Sequence, residues 1–376
     1  MIEEVIKKFN IEGKLVSIES NNSGNINKTY IATFIQEGNV QRKYLIQRIN
    51  TTVFREPYKL MKNIEGVTKY LERMIRKEKD NNHEVLKIVK TTDGRLLCSI
   101  LGENGSRDYY RIYQFIENSV SYDYSVDPQI VYNTGKAFGN FQRLLADYPM
   151  HKLEETIKDF HDTRKRYRKL MEDIKIDPRD RALNVAREIV FILKREDICS
   201  LIMDELGTDA VPLRVTHNDT KVNNVMMNMN TGDYLAVIDL DTVMPGSMLF
   251  DYGDGIRSTA STTAEDERDL TKVKLNLELF KMYTDGYLSE MAPFLTEREL
   301  MLMGESIRII TLELAIRFLN DYINGDTYFK IDYEEHNLVR ARNQLELIKD
   351  IESKLPVIES YILNSYEKYG GRILRK

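Results

Sequence analysis

Residues 216–227 read THNDTKVNNVMM, and residues 235–246 read LAVIDLDTVMPG. Between them, Thr231-Gly232-Asp233 is a turn signal flanked by two short apolar runs, the pattern of a β-hairpin. Polar side chains gather on both arms: His217, Asp219, Lys221 and Asn224 before the turn, then Asp239 and Asp241 after it. A turn former or a cap accounts for one or two such residues. It does not account for five of them, His217 through Asp239, placed so that the hairpin brings both groups to one end.

Working outward, the residues upstream read mostly as short strands. Stretches 14–20, 28–34 and 43–49 are β-branched or aromatic and are separated by Gly, Asn or charged residues. Residues 58–79 interrupt them with Leu60, Ile64, Val67, Leu71 and Ile75 at three-to-four spacing, one apolar helical stripe. Strands at 86–91 and 95–100, joined by Asp93-Gly94, and a further strand at 109–117 complete the set. From about Asp127 the period becomes helical: 128–148, the segment after Pro178, 265–288, and nearly everything after Glu297. The hairpin is therefore isolated among helices. The expectation is an α+β chain with a domain at 1–117, a sheet plus one helix. A mostly helical domain at 118–376 carries the hairpin 216–241.

Composition narrows the function. With 376 residues, 42% of them apolar, and a net charge of −5, the chain can bury a large core in two domains. Lys+Arg (54) and Asp+Glu (59) nearly balance and no long basic block occurs, which argues against nucleic acid as partner. No apolar stretch approaches the ~20 residues of a membrane span, and the first residues lack the apolar centre of a secretory signal. A cytoplasmic protein, monomeric or weakly dimeric, is expected. Cys98 and Cys199 support neither a disulfide framework nor a cysteine zinc site.

His217, Asp219, Lys221 and Asn224 have the spacing H-x-D-x-K-x-x-N, and Asp239 follows on the second strand. Phosphoryl transfer needs these groups: a carboxylate for the hydroxyl proton, an amide and a second carboxylate for Mg²⁺, and a cation near the moving phosphate. The spacing matches the catalytic loop of protein kinases, with His217 as a buried hydrogen-bonding post. A transition-metal site from His217, Asp219, Asp239 and Asp241 lacks a second imidazole, and oxygen donors suit Mg²⁺ better. G-x-G-x-x-G, V-A-I-K, D-F-G and A-P-E are all absent, so a protein substrate is not expected. A nucleotide-binding pseudokinase would have lost a base or metal ligand, whereas Asp219, Asn224 and Asp239 are all present.

These residues resemble the aminoglycoside phosphotransferase and choline kinase superfamily. The blocks GNINKTY, YLIQRINTTVF, HNDTKVNNVM, VIDLDTVMPGS, FDYGDGIRS, AIRFLNDYINGDTYFK and HNLVRARNQL, from about residue 24 to 346, are together similar to the bacterial N-acetylhexosamine 1-kinases. The resemblance implies a two-lobed, protein-kinase-like fold with a small β-rich N-lobe and a larger helical C-lobe. It also implies ATP-dependent phosphorylation of a sugar C1 hydroxyl. Asp219 would be the base, Asn224 and Asp239 would hold Mg²⁺, and Lys221 would reach the transferring phosphate. Asp241, by strand alternation, would point with Asp239. Gly24 would let backbone approach phosphate, beside Asn25, where relatives often carry histidine. Arg48 would be the phosphate-pairing cation with Glu65 as partner, and adenine would lie against the backbone of Phe115, Ile116 and Glu117. Arg317 and Tyr328 would contact the hexose. Arg317 also stands out by pattern alone, a charge within the apolar run Leu314, Ala315, Ile316, Phe318, Leu319. Asp251 and Asp254 would brace the catalytic loop. A choline or ethanolamine, homoserine or aminoglycoside acceptor is the alternative within the superfamily.

Overall fold

The computed structural model describes residues 1–21, 26–102 and 105–371. In chain order the elements are α1 (Ile2–Ile6), β1 (Lys14–Asn21), β2 (Lys28–Gln36), β3 (Val40–Ile49), α2 (Pro57–Glu78), β4 (Ile88–Val89), β5 (Cys98–Leu101), β6 (Arg107–Gln114) and β7 (Ser119–Val120). They continue with α3 (Pro128–Leu144), α4 (Thr163–Ile176), α5 (Ala186–Leu193), β8 (Arg214–Thr216), β9 (Val225–Asn228), β10 (Tyr234–Val237) and β11 (Met244–Gly246). Helices close the chain: α6 (Met248–Thr259), α7 (Leu277–Met291), α8 (Glu297–Ile323) and α9 (His336–Lys368).

The described chain forms two compact units. The first combines Met1–Val120, Asp147–Lys158 and Met226–Met244; the second combines Ser121–Ala146, Asp159–Val225 and Pro245–Lys376. Residues 226–244, which the sequence reading puts with the helices, thus pack in the first unit. The reason is β7, which pairs antiparallel with β9 (Ser119↔Asn228, Val120↔Met227) and makes the hairpin part of a small sheet of order β10-β9-β7.

In the first unit the main sheet has the order β1-β2-β3-β6-β4, with β5 also paired to β6. Side chains alternate between its faces. Ala32, Phe34, Tyr44, Ile46, Tyr110 and Ile112 occupy one face and form a single core with Val5, Ile6 and Phe9. The other face carries a polar row, Thr29↔Gln47 between β2 and β3 and Gln47↔Arg111 between β3 and β6. Helix α2 buries Leu60, Ile64, Val67 and Leu71, the stripe expected from its spacing. Pro57 starts it, and Lys79 in the left-handed region (φ 56°) ends it, its N–H donating back to the Arg76 carbonyl.

The second unit is helical. Helices α3 and α7 approach so closely that a Cβ on Gly135 or Gly139 would stand 2.2 or 2.5 Å from the Tyr283 or Tyr287 carbonyl oxygen. Only glycine permits that crossing. Helix α8, opened by a reciprocal Thr296–Glu299 capping box, packs on α4, α6 and α9. Two helical expectations are corrected. Residues 265–276 form no α-helix, only a 3₁₀ turn at Leu270–Lys272: Thr262 N–H and Oγ1 bond to Lys274, Ser261 bridges to Leu275, and Asn276 caps α7 by accepting from the Glu278 and Leu279 N–H groups. After Pro178 the helix is short, limited to α5, with 3₁₀ turns on either side.

Candidate active site

The loop after β8 carries the first group of polar residues, in the second unit. Asp251, on the first turns of α6, accepts from the backbone N–H of His217 (2.8 Å) and of Asn218 (2.7 Å), and from Gln142 Nε2 (2.7 Å). The Thr220 hydroxyl donates to the Asp251 carbonyl at 2.6 Å, and the Thr220 N–H to Asp254 at 3.3 Å. His217 is fully buried, its ring set edge-on to Phe138 and Phe141, and its Nδ1 accepts from the Asp219 N–H. Asn218 sits in the left-handed region at φ 64°, a conformation that costs energy in a non-glycine residue and that this bracing holds in place.

The pinned loop presents Asp219 with a donor on each carboxylate oxygen. Lys221 Nζ is 2.8 Å from Oδ1, and Asn224 Nδ2 donates to Oδ2 at 3.0 Å and to the Asp219 carbonyl at 2.8 Å. Burial alone would raise the carboxyl pKa; Lys221 above all, with His217 and Asn224, outweighs it and holds Asp219 below the usual carboxylate range. The Asp219 carboxylate in turn keeps the Lys221 ammonium well above its ordinary value. Around this pair, Arg257 is buried and joins Asp254 (2.8 Å) to Glu265 (2.6 Å). With both bonds of its amide nitrogen directed at Asp219, Asn224 turns Oδ1 away from it as an acceptor.

The same unit holds the hexose candidates. Asp321 Oδ1 and Oδ2 accept from the N–H groups of Thr327, Tyr328 and Phe329, which fixes the loop after α8. That loop sets the Tyr328 and Phe329 rings 5.9 and 5.5 Å from the Arg317 guanidinium, with Phe160 also at 5.5 Å. One turn earlier on α8, buried Glu313 bonds His161 Nδ1 (2.9 Å), whose Nε2 lies 3.4 Å from the Asn218 carbonyl oxygen.

In the first unit, Asp239 follows β10 with φ 56°, the second left-handed non-glycine residue among the candidates. Asp241 lies in a 3₁₀ turn, Leu240–Thr242, rather than on the strand, so strand alternation does not govern it. Its carboxylate is 3% exposed for the residue and is clamped by Arg111, with Nη1 on Oδ1 and Nη2 on Oδ2 at 2.8 Å, and by Asn27 Nδ2 at 2.7 Å. Asp241 is therefore the buried ion-pair partner of Arg111. Arg111 also donates to Gln47 Oε1 from Nε and Nη2. Burial would lower the Arg111 pKa, yet Asp241, with a smaller contribution from Asp239, holds it raised.

Arg111 is a buried cation that sequence reasoning did not single out, paired with Asp241 and within the electrostatic influence of Asp239. Arg48 neighbours Gln47 on β3 and so faces the other side of the sheet, where it pairs with Asp108 at 2.5 Å. Glu65 is not its partner; Glu65 pairs with Lys69 (2.7 Å) and Lys90 (3.3 Å). Phe115 donates its N–H to the Lys43 carbonyl, the Ile116 carbonyl accepts from Ser119 Oγ, and Glu117 is exposed. Gly24 and Asn25 lie outside the described residues. Among the described residues no three His, Cys, Asp or Glu side chains are grouped to hold a metal, and no helix is long and apolar enough to cross a membrane. Asn224 Oδ1 in the second unit and the Asp239 carboxylate in the first are each an oxygen donor of the hard type that Mg²⁺ prefers.

The sequence matches the phosphotransferase enzyme family, APH, over residues 32–287. Among solved structures the chain is similar to a microcompartment-associated aminopropanol kinase, at 14% identity over 95% of this chain and 98% of that one, with a TM-score of 0.63. It is also similar to an aminoglycoside phosphotransferase from Alicyclobacillus acidocaldarius (11%, 97% and 96%, 0.57). A third likeness is to the amicoumacin kinase hAmiN in complex with AMP-PNP, Ca²⁺ and Ami (15%, 94% and 96%, 0.54). At these identities the likeness speaks to the fold, an antiparallel sheet unit and a helical unit in an α+β chain.

Proposed function

The chain belongs to the phosphotransferase enzyme family, and from that premise we propose that it is an ATP-dependent small-molecule kinase acting on the C1 hydroxyl of an N-acetylhexosamine. The observation that carries the reading is the setting of Asp219: an ionised carboxylate with an ammonium on one oxygen and an amide on the other, in a loop pinned by Asp251. In this reading the acceptor oxygen attacks the γ-phosphorus, the bridging bond to ADP breaks, and the hydroxyl proton passes to Asp219. A weakly basic carboxylate suits a loose transition state, where orienting the hydroxyl matters more than early proton removal. Lys221 offsets the charge that develops on the transferring group. Asn224 and Asp239 would hold Mg²⁺, which neutralises phosphate charge; the complex of hAmiN with AMP-PNP and Ca²⁺ supports use of a nucleotide with a divalent cation.

Arg317, with Tyr328, is the proposed hexose contact. A cationic acceptor such as an amino alcohol or an aminoglycoside would bring its ammonium toward Arg317 and the neighbouring Arg166, both of which lower its affinity. The test is ADP formation with ATP, Mg²⁺ and a panel of N-acetylglucosamine, N-acetylgalactosamine, choline, homoserine, aminopropanol and an aminoglycoside. Phosphate at C1 of a hexosamine is expected. Transfer confined to the amino alcohols or the antibiotic contradicts the acceptor assignment.

A further inference from the structure

Two arginines of the second unit stand close together with no carboxylate among the described residues in hydrogen-bond or ion-pair contact with either. Arg317 makes neither a hydrogen bond nor an ion pair to any described residue; the rings of Phe160, Tyr328 and Phe329 surround it, and Glu313 one turn earlier feels its charge. Arg166, on α4, donates from Nη2 to the Phe160 carbonyl at 3.2 Å, while its Nε is buried with no hydrogen-bond partner. Phe160 thus touches both guanidinium groups.

The nearby carboxylates are already engaged. Glu313 is held by His161 at 2.9 Å and by the Thr163 hydroxyl at 2.7 Å, and Asp159 by Lys165 at 2.5 Å. Burial, then the charge of Arg317, holds the Arg166 guanidinium below its ordinary pKa, and the opposing charges of Glu313 and Asp159 are smaller influences. Two half-buried like charges with an unmatched donor are costly to keep. Arginine is also the side chain whose forked donors fit a carboxylate or a phosphate. The place matters as well. His161 follows Phe160 directly, and its Nε2 reaches the Asn218 carbonyl at 3.4 Å, one residue before Asp219. The arginine pair is therefore joined to the catalytic loop through two consecutive residues.

We propose that Arg166 and Arg317 form an anion-accepting subsite, so that the acceptor carries a carboxylate or phosphate group in addition to the hydroxyl that Asp219 serves. The inference rests on the sugar-kinase reading and narrows its substrate class to acidic N-acetylhexosamines. It extends the role of Arg317 from contacting hydroxyls to binding charge, and brings in Arg166, which sequence alone does not single out.

The test compares kcat/KM for N-acetylglucosamine with that for N-acetylmuramic acid, which adds a carboxylate, and for N-acetylglucosamine 6-phosphate, which adds a phosphate. At least one acidic sugar should exceed the neutral one by about ten- to a hundredfold, the worth of a charge-assisted hydrogen bond. The arm that wins identifies the anion. That ratio should fall toward one in Arg166→Gln and in Arg317→Gln. Neutral sugar used as well as both acidic ones, or a ratio unmoved in both variants, overturns the subsite. Binding is read apart from turnover by calorimetric titration of the protein with each acidic sugar. No heat from either, or heat unchanged in Arg317→Gln, also overturns it. Arg317-dependent binding without turnover of any sugar would uphold the subsite and sink only the C1-kinase reading.

Discussion

Lys221 Nζ lies 2.8 Å from Asp219 Oδ1, two residues along the same loop. The contact ties the protonation of the proposed base above all to one neighbouring cation, with His217 and Asn224 as lesser influences. Burial would favour the neutral acid, and Lys221 is the largest influence opposing it.

A pH consequence follows. The folded-state pKa of Asp219 is depressed, so its ionised form contributes stability above the unfolded value of ~3.9, and that contribution is lost as pH falls through the folded value. Activity that needs the carboxylate should persist to that same low range. In Lys221→Met burial prevails, the pKa rises, and the acid limb of the kcat profile should move to higher pH while kcat itself falls. A pH–rate profile at saturating ATP and acceptor reads both; an acid limb that stays in place contradicts the assignment of Lys221.

Arg111 and Asp241 form a buried pair with side chains 1% and 4% exposed. Arg111→Met leaves Asp241 charged and without its bidentate partner, and should cost about 3–5 kcal/mol of stability in chemical denaturation. The double variant Arg111→Met/Asp241→Leu removes both charges and should recover most of that loss. A single variant as stable as wild type would show that the pair does not hold the turn after β10.

Metal removal tests Asn224 and Asp239. Chelation by EDTA should abolish turnover, and added Mg²⁺ should restore it. In Asp239→Asn, which keeps the volume and removes the charge, the Mg²⁺ concentration for half-maximal rate should rise at least about tenfold, the scale of losing one favourable charge contact. An unchanged Mg²⁺ requirement would remove Asp239 from the ligand set.

The parts of this site that were legible in the sequence are those fixed by local spacing. His217, Asp219, Lys221 and Asn224 lie within eight positions, so one loop determines their mutual geometry, and the family resemblance points to Asp251 and Asp254 as its braces. The strands of the main sheet and the stripe of α2 follow from periods of two and 3.6 residues. What the sequence did not disclose depends on register. Arg48 and Gln47 are adjacent in the chain and on opposite faces of β3, and only the pairing of β3 with β6 sets Arg111 beside Gln47. Asp241 looked like a strand residue because Ile238 to Leu240 are mostly apolar, but the left-handed Asp239 turns the chain first. Helix α4, rich in Lys and Arg, hides its buried Tyr167 and Leu170 among charges, and Arg166 with them.

The most direct measurement is turnover of Asp219→Asn, which preserves the side-chain volume and its place between Lys221 and Asn224 while removing the proton acceptor. Assayed for ADP release with ATP, Mg²⁺ and the acceptor that wild type uses best, it should fall by ~10²–10⁴-fold with the thermal unfolding midpoint still that of a folded chain. Turnover equal to wild type would contradict the assignment of Asp219 as the base, and with it the function built on that loop.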